Sequence, residues 1–304
     1  MGGHPSPHRY GGPAVVVLAI AASLLAAACG NGTAGARSTR PYGLADPLTD
    51  PGDRPTTAVQ SAAETSPAPT RATRPASSDP TASGALVGRV IVLDPGHNGN
   101  NARHLNEISK PVDAGGFEKP CNTGGTATAD GYSEATFNWD VAKLLAEKLR
   151  ASGATVILTR RSNTGWGPCV DERGGIAARN QADLLLSIHA DGSSATYHGF
   201  YVMSPAPLPG YTGRTAAPSR RAAIALRDAM VNAGFRPADY VASHGLWVRS
   251  DLGTLNRAGT PAITIECGNM LNSRDAATMT SRAGQSAIAA ALSDGIARFL
   301  RRSG

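Results

Sequence analysis

The sequence predicts an α/β fold: a single domain built on a largely parallel central sheet flanked by helices. Two observations point there. Between residues 85 and 304, short runs rich in Val, Ile and Leu alternate with longer amphipathic stretches, the pattern of strands buried on both faces and joined by helices. Three side chains able to bind a metal or move a proton, His97, His189 and Glu266, stand at or just beyond the ends of such runs. In open α/β sheets ligands bind outside the carboxyl ends of the strands, so the three are expected to converge on one edge.

Taken in order, "RVIVL" (89–93) is the first strand. The Asp-Pro-Gly after it is a strong turn signal and delivers His97 four residues past Leu93. Ser133 is the expected N-cap of a helix starting at Glu134, in which Phe137, Val141, Leu144, Leu145 and Leu149 form the stripe that faces a sheet. Glu134 shares that inward face. A carboxylate in a first helical turn is also favoured by the helix dipole alone, so its position has a structural explanation beside the chemical one. "TVIL" (155–158) is the next strand and a helix follows near 171–181. "LLLSI" (184–188) runs directly into His189, and a helix covers about 219 to 233. "AITIE" (262–266) ends on Glu266, and one closing helix completes the domain.

The segment ahead of the domain bears on its compartment. Arg9 precedes the apolar run "AVVVLAIAASLLAAA" (14–28), a signal-peptide core too short for a comfortable membrane span. Residues 1–29 are therefore expected to be a signal peptide and the protein to be exported to the cell envelope. Cys29 follows Ala26, Ala27 and Ala28, which resembles the lipobox of bacterial lipoproteins with its leucine displaced to Leu25. Membrane anchoring through a lipidated Cys29 and simple cleavage of a secretory signal are both open. Residues 30–84, rich in Pro, Ser and Thr and without apolar periodicity, read as a disordered tether. The 304-residue chain is 41% hydrophobic but only 5% aromatic, so the core of residues 85–304 is mostly aliphatic. The net charge of +6 comes from scattered basic residues, which gives no reason to expect a nucleic-acid partner.

Two histidines and a glutamate make an open zinc site, with the fourth position left to water or substrate. A closed structural site would more often use cysteines, and the four here are badly spaced for that. Neither the paired histidines of a zincin helix nor a G-x-S-x-G nucleophile elbow occurs in the chain. Hydrolysis by a metal-activated water is the leading chemistry.

Four stretches in order, "VIVLDPGHNG" (90–99), "SEATFNWDVAKLLAEKLRASGATVILTR" (133–160), "ADLLLSIHADG" (182–192) and "PAITIECGNMLNSRDA" (261–276), resemble the zinc-dependent N-acetylmuramoyl-L-alanine amidases of bacterial cell walls. The resemblance spans nearly all of residues 88 to 302. It implies a single-domain hydrolase with one zinc per chain, held by His97, Glu134 and His189, and it assigns Glu266 as the catalytic residue, general base and then acid. The bond cut would join the lactyl group of N-acetylmuramic acid to the L-alanine of the stem peptide, in peptidoglycan or its muropeptide fragments. The chain departs from the family pattern at Ala178, where asparagine is more frequent. The 36 residues between His97 and Glu134 look similar to an extension in mycobacterial members. That insertion either restricts access to the zinc, favouring free fragments over intact wall, or is a passive surface feature.

An oxidising compartment makes Cys121 and Cys169 a candidate disulfide that would pin the insertion to the domain. Cys267, with apolar or small neighbours, reads as a buried inert thiol. Asp94 and Asp191 flank the two histidines and are candidates to orient them, although turn chemistry explains both equally well. Arg173 and Arg249 are weaker candidates to meet substrate carboxylates. His104, His198 and His244 read as surface or packing histidines, and His4 and His8 fall in the leader. A monomer is expected. Another zinc hydrolase of the wall, a peptidase or a deacetylase, is the competing enzyme reading. A non-catalytic wall-binding lipoprotein is the competing reading from another class, and it would need one of the four site residues to be lost.

Overall fold

Strand β1 (Val90–Pro95) shows why a sheet forms here. Ile91 and Leu93 enter one buried cluster and Val92 enters another, so alternate side chains fill the two faces of a doubly covered strand. The computed structural model describes residues 84–301; the signal-peptide, Cys29 and tether expectations lie outside the described residues.

From β1 the chain makes an excursion before returning to the sheet. It passes a 3-10 turn (Asn101–Arg103) and a short helix α1 (Leu105–Ile108), then a two-stranded hairpin of β2 (Pro111–Asp113) and β3 (Glu118–Pro120). Helix α2 (Glu134–Ala151) follows, with Ser133 as the expected cap accepting the Thr136 N–H. Next come β4 (Thr155–Leu158), α3 (Val170–Arg179) and β5 (Leu184–Asp191). The second half comprises β6 (Tyr201–Pro205), α4 (Ala216–Asn232), β7 (Leu246–Arg249), α5 (Gly253–Asn256), β8 (Ala262–Asn269), α6 (Ser273–Thr280) and α7 (Arg282–Arg301).

The sheet order is β4-β1-β5-β8-β6-β7. Its first four strands run parallel, β6 pairs antiparallel with β8, and β7 is parallel to β6. Helices α2, α4 and α7 share the larger core with Leu184, Leu186, Ile188, Ile263 and Ile265. On the other face Ala177 of α3 and Leu255 of α5 pack with Val92, Leu185 and Ala262.

The α/β class and the four parallel strands agree with the sequence reading; three features differ. Strands β6 and β7 were not expected, because "YVMSP" ends in a proline and the half-exposed "LWVR" lacks an aliphatic run. The closing helix is two helices. Ser281 between them is extended, and its hydroxyl accepts the Gly284 N–H, so it caps α7. The expected ends of the first, third and fourth parallel strands are also too early, since β1, β5 and β8 continue for two or three further residues.

Candidate metal centre and catalytic cleft

His189 and Glu266 therefore lie inside their strands, near the carboxyl end, and the β5–β8 register sets them side by side. Side-chain alternation then does the rest. Ile188 and Ile265 point into the larger core, while Ser187, His189, Thr264 and Glu266 all line one cavity of about 200 Å³ on the opposite face.

His97 and Glu134 reach the same place from other elements. His97 follows β1 with φ +57°, a left-handed conformation that a non-glycine residue adopts only where its surroundings enforce it. Its Nδ1 lies 3.0 Å from the Thr123 carbonyl. With Nδ1–H donating there, Nε2 is left with a free lone pair, and Nε2 lies 3.2 Å from Glu134 Oε2. On the other side His189 Nδ1 lies 2.9 Å from Glu134 Oε1. Glu134 is 4% exposed and accepts the N–H groups of Thr126 and Ala190. Gly96 is required for close approach, since a Cβ there would stand 2.2 Å from His189 Cε1.

Ligand atoms of His97, Glu134 and His189 all lie within 4.8 Å of one another, so the three could hold a metal ion. Two imidazoles and a carboxylate match the donor set of open zinc sites. Glu266 stands beside them, and its buried Oε2 has no hydrogen-bond partner. The two carboxyls are pushed in opposite directions. Burial alone would raise Glu134, but facing His97 and bonds from both histidines hold it well below the usual carboxylate range. Burial, reinforced by the charges of Glu134 and Asp191, pushes Glu266 well above that range. Two carboxyls pushed apart in this way within one cluster mark a functional site.

Around this centre several expectations need correction. Asp94, 1% exposed, does not bond an imidazole. It accepts from Arg173 at 2.6 Å, Ser187 at 2.6 Å and Thr159 at 2.5 Å. Arg173 is equally buried and so not available to substrate; it donates to the carbonyls of Pro95 and His97. The Asp94–Arg173 pair thus holds the main chain of the His97 turn. Asp191 accepts from Tyr201 and Tyr240 rather than from His189. Arg249 is bound on two nitrogens by Asp251 and lies over the Trp247 ring. Ala178 is exposed, so its departure from the family pattern leaves the centre untouched. Cys121 and Cys169 form the expected disulfide. Cys267 is buried, and burial followed by the nearby carboxylates pushes its thiol pKa up, which disfavours the reactive thiolate. Trp166 stacks on His104, His198 faces Asp239, and the His244 carbonyl accepts from Arg227, all outside the centre.

The excursion forms a wall of the cleft. Lys119, Pro120, Asn122 and Thr123 line the cavity on one side of His97 and Glu266. On the other side a second lobe of about 290 Å³ is lined by Gly124, Gly125, Thr126, Asp191 and Gly192. Lys119 is a residue the sequence reading missed, since a lysine in a polar, glycine-rich insertion gives no local signal of facing a site. A larger groove of about 800 Å³, lined by Arg227, Asp239, His244 and Arg298 among others, includes none of the four site residues.

Comparison with known proteins agrees with this architecture. Residues 91–298 match the family described as N-acetylmuramoyl-L-alanine amidase. An N-acetylmuramoyl-L-alanine amidase of Mycobacterium tuberculosis is 40% identical over 220 residues, covering 72% of this chain and 89% of that protein. The crystal structure of the N-acetylmuramyl-L-alanine amidase from Mycobacterium smegmatis is 39% identical with a TM-score of 0.68, covering 71% of this chain and 99% of that one. The apo form of the Mycobacterium abscessus enzyme is 41% identical with a TM-score of 0.67, covering 71% of this chain and all of that one. The sheet with its four convergent side chains and the match across most of its length lead to one assignment: the chain belongs to the N-acetylmuramoyl-L-alanine amidase family.

Proposed function

We propose that this protein is a zinc-dependent hydrolase of the amide between the lactyl group of N-acetylmuramic acid and the L-alanine of the stem peptide, in peptidoglycan or its fragments. The observation that carries the reading is the grouping of His97, Glu134 and His189 within 4.8 Å beside a glutamate with a free buried oxygen. Zinc bound by those three residues supplies a Lewis acid for the scissile carbonyl and makes water a nucleophile near neutral pH. Glu266 takes the proton from the attacking water as the oxygen–carbon bond forms. It returns that proton to the alanine nitrogen as the carbon–nitrogen bond breaks. Glu134, anchored by two backbone N–H groups, and His97, anchored by Thr123, keep the ligand set in place.

Family membership supports a role in remodelling or recycling cell wall outside the cytoplasm. The Cys121–Cys169 disulfide supports export, because such bonds persist in oxidising compartments. No helix among the described residues is long and apolar enough to cross a membrane. One chain supplies all four site residues, so we take the active form to be a monomer.

The test is to incubate the purified full chain with muramyl dipeptide, with and without a chelator, and follow products by mass spectrometry. Release of the dipeptide that chelation abolishes and zinc restores is the expected result. Cleavage at a peptide bond, or release of acetate, would move the protein to another class of hydrolase.

A further inference from the structure

We propose that Lys119 is a specificity-determining residue: its ammonium receives a free carboxylate on the residue after the alanine, so the cleft prefers stem peptides whose second residue is an ionised acid over those carrying a carboxamide there. The inference rests on the amide-cleaving reading above and adds to it the direction in which substrate lies.

Charge sets that direction. The two lobes meet at His97, Thr123, His189 and Glu266. The glycine-rich lobe carries Asp191 and neither a lysine nor an arginine among its lining residues, which suits a neutral sugar with hydroxyl and acetamido groups better than an anionic peptide. The other lobe carries Met203, Leu252 and Val170, against which a methyl group packs, and Lys119. Lactyl sugar on one side and stem peptide on the other is the arrangement that places unlike charges together.

Among the described residues Lys119 is the cation suited to this role. Arg173 is buried on Asp94, Arg249 is engaged by both carboxylate oxygens of Asp251, and Arg257 pairs with Asp113. Lys119 is half-buried, and its Nζ donates to the main-chain carbonyl of Asp251 at 2.8 Å. No carboxylate of the described residues lies within ion-pair distance of it, although the Asp251 side chain, which Arg249 holds, feels its charge. A carbonyl takes only one of three N–H donors, so the others can make charge-assisted bonds to an anion. The position is fixed from both sides, since Lys119 lies on β3 two residues before the Cys121–Cys169 link. In the substrate the second α-carbon lies one trans peptide, about 3.8 Å, beyond that of the alanine. Its carboxylate is thus presented just past the reacting bond.

The test uses the full chain and two probe dipeptides with the γ-carboxyl capped as a methylamide, L-alanyl-D-glutamate and L-alanyl-D-isoglutamine, which then differ only in α-carboxylate against α-carboxamide. Calorimetry is expected to show the acid bound on the order of tenfold more tightly by the wild type, the size of one charge-assisted hydrogen bond. Lys119→Gln should abolish the preference, Lys119→Glu should reverse it, and Lys119→Arg should keep most of it. With the matching muramyl dipeptides, the same ratio should appear in KM while kcat stays alike. Equal binding of the two dipeptides by the wild type, or a preference that survives in Lys119→Gln, overturns the proposal. A wild type that prefers the acid yet cleaves neither muramyl compound supports the recognition role and overturns the reaction. Equal cleavage with equal KM overturns the recognition role alone.

Discussion

The two walls of the cleft are held by different forces. The sheet edge that carries His189 and Glu266 is fixed by the β5–β8 ladder, by aliphatic side chains packed on both faces and by the buried Asp94–Arg173 pair. The excursion over 98–133 has two strands of three residues each and few buried apolar side chains. It is held by the Cys121–Cys169 bond and by side chains that reach neighbouring carbonyls, such as Asn101 to Thr123 and Asn122 to Pro168. One wall is a product of burial and the other of individual links. Losses on the first should therefore spread through the domain, while losses on the second should stay local.

The sharpest separation comes from chemistry on the sheet side. Glu266→Gln should lower kcat by about 10²- to 10⁴-fold, the usual share of a general acid–base group, with bound zinc by elemental analysis unchanged. His189→Ala should lose both metal and activity. An active Glu266→Gln protein would sink the proposed role.

Breaking the buried pair comes next. Arg173→Met leaves Asp94 without its charge partner, and such losses cost about 3–5 kcal/mol. Urea unfolding should register that deficit across the whole domain, and a change confined to the excursion would contradict the contrast between the walls.

Removing the covalent link should cost less. A Cys121→Ser, Cys169→Ser double variant loses a bond that spans 48 residues, typically worth about 2–4 kcal/mol. Hydrogen exchange should quicken over residues 105–123 while β1, β5 and β8 stay protected. If the strands loosen equally, the excursion is not an independent wall.

The smallest effect concerns acid. Burial alone would raise the Asp94 carboxyl, but Arg173, Ser187 and Thr159 outweigh it and bring it from 3.8 down to about 2. A carboxyl depressed in the folded state stabilises above its unfolded pKa, and that contribution is lost as pH falls from about 3.8 through about 2. The loss is about 2 kcal/mol. Comparing urea midpoints of wild type and Asp94→Asn at pH 5 and pH 2 should show the difference between them shrinking in acid; a constant difference would contradict it.

The same division explains what could be read from the chain. Strands such as "LLLSI" and "AITIE" announce themselves because both faces are buried, and the residue at their carboxyl end then falls on a predictable edge. Ser133 announced α2, and with it Glu134. Nothing comparable marks β6 and β7, whose place depends on the neighbours they pair with. The sequence leaves Asp94 and Asp191 open between orienting the histidines and shaping turns, because adjacency along the chain does not tell which way a side chain points. Arg173 lies 79 residues from Asp94, and a bond across that separation leaves no local pattern. Lys119 faces the cleft only because a hairpin and a link to Cys169 turn it there.

The parity of β8 has one more implication. Glu266 faces the cleft while Ile265 and Cys267 pack in the larger core. Sliding the strand by a single residue would exchange these roles, leaving an aliphatic group in the cleft and a carboxylate among hydrocarbons. On the proposed zinc reading, turnover per milligram set against bound zinc would count the molecules whose strands are aligned. For stored or refolded preparations it would serve as a gauge of folding quality that circular dichroism, blind to alignment, does not provide.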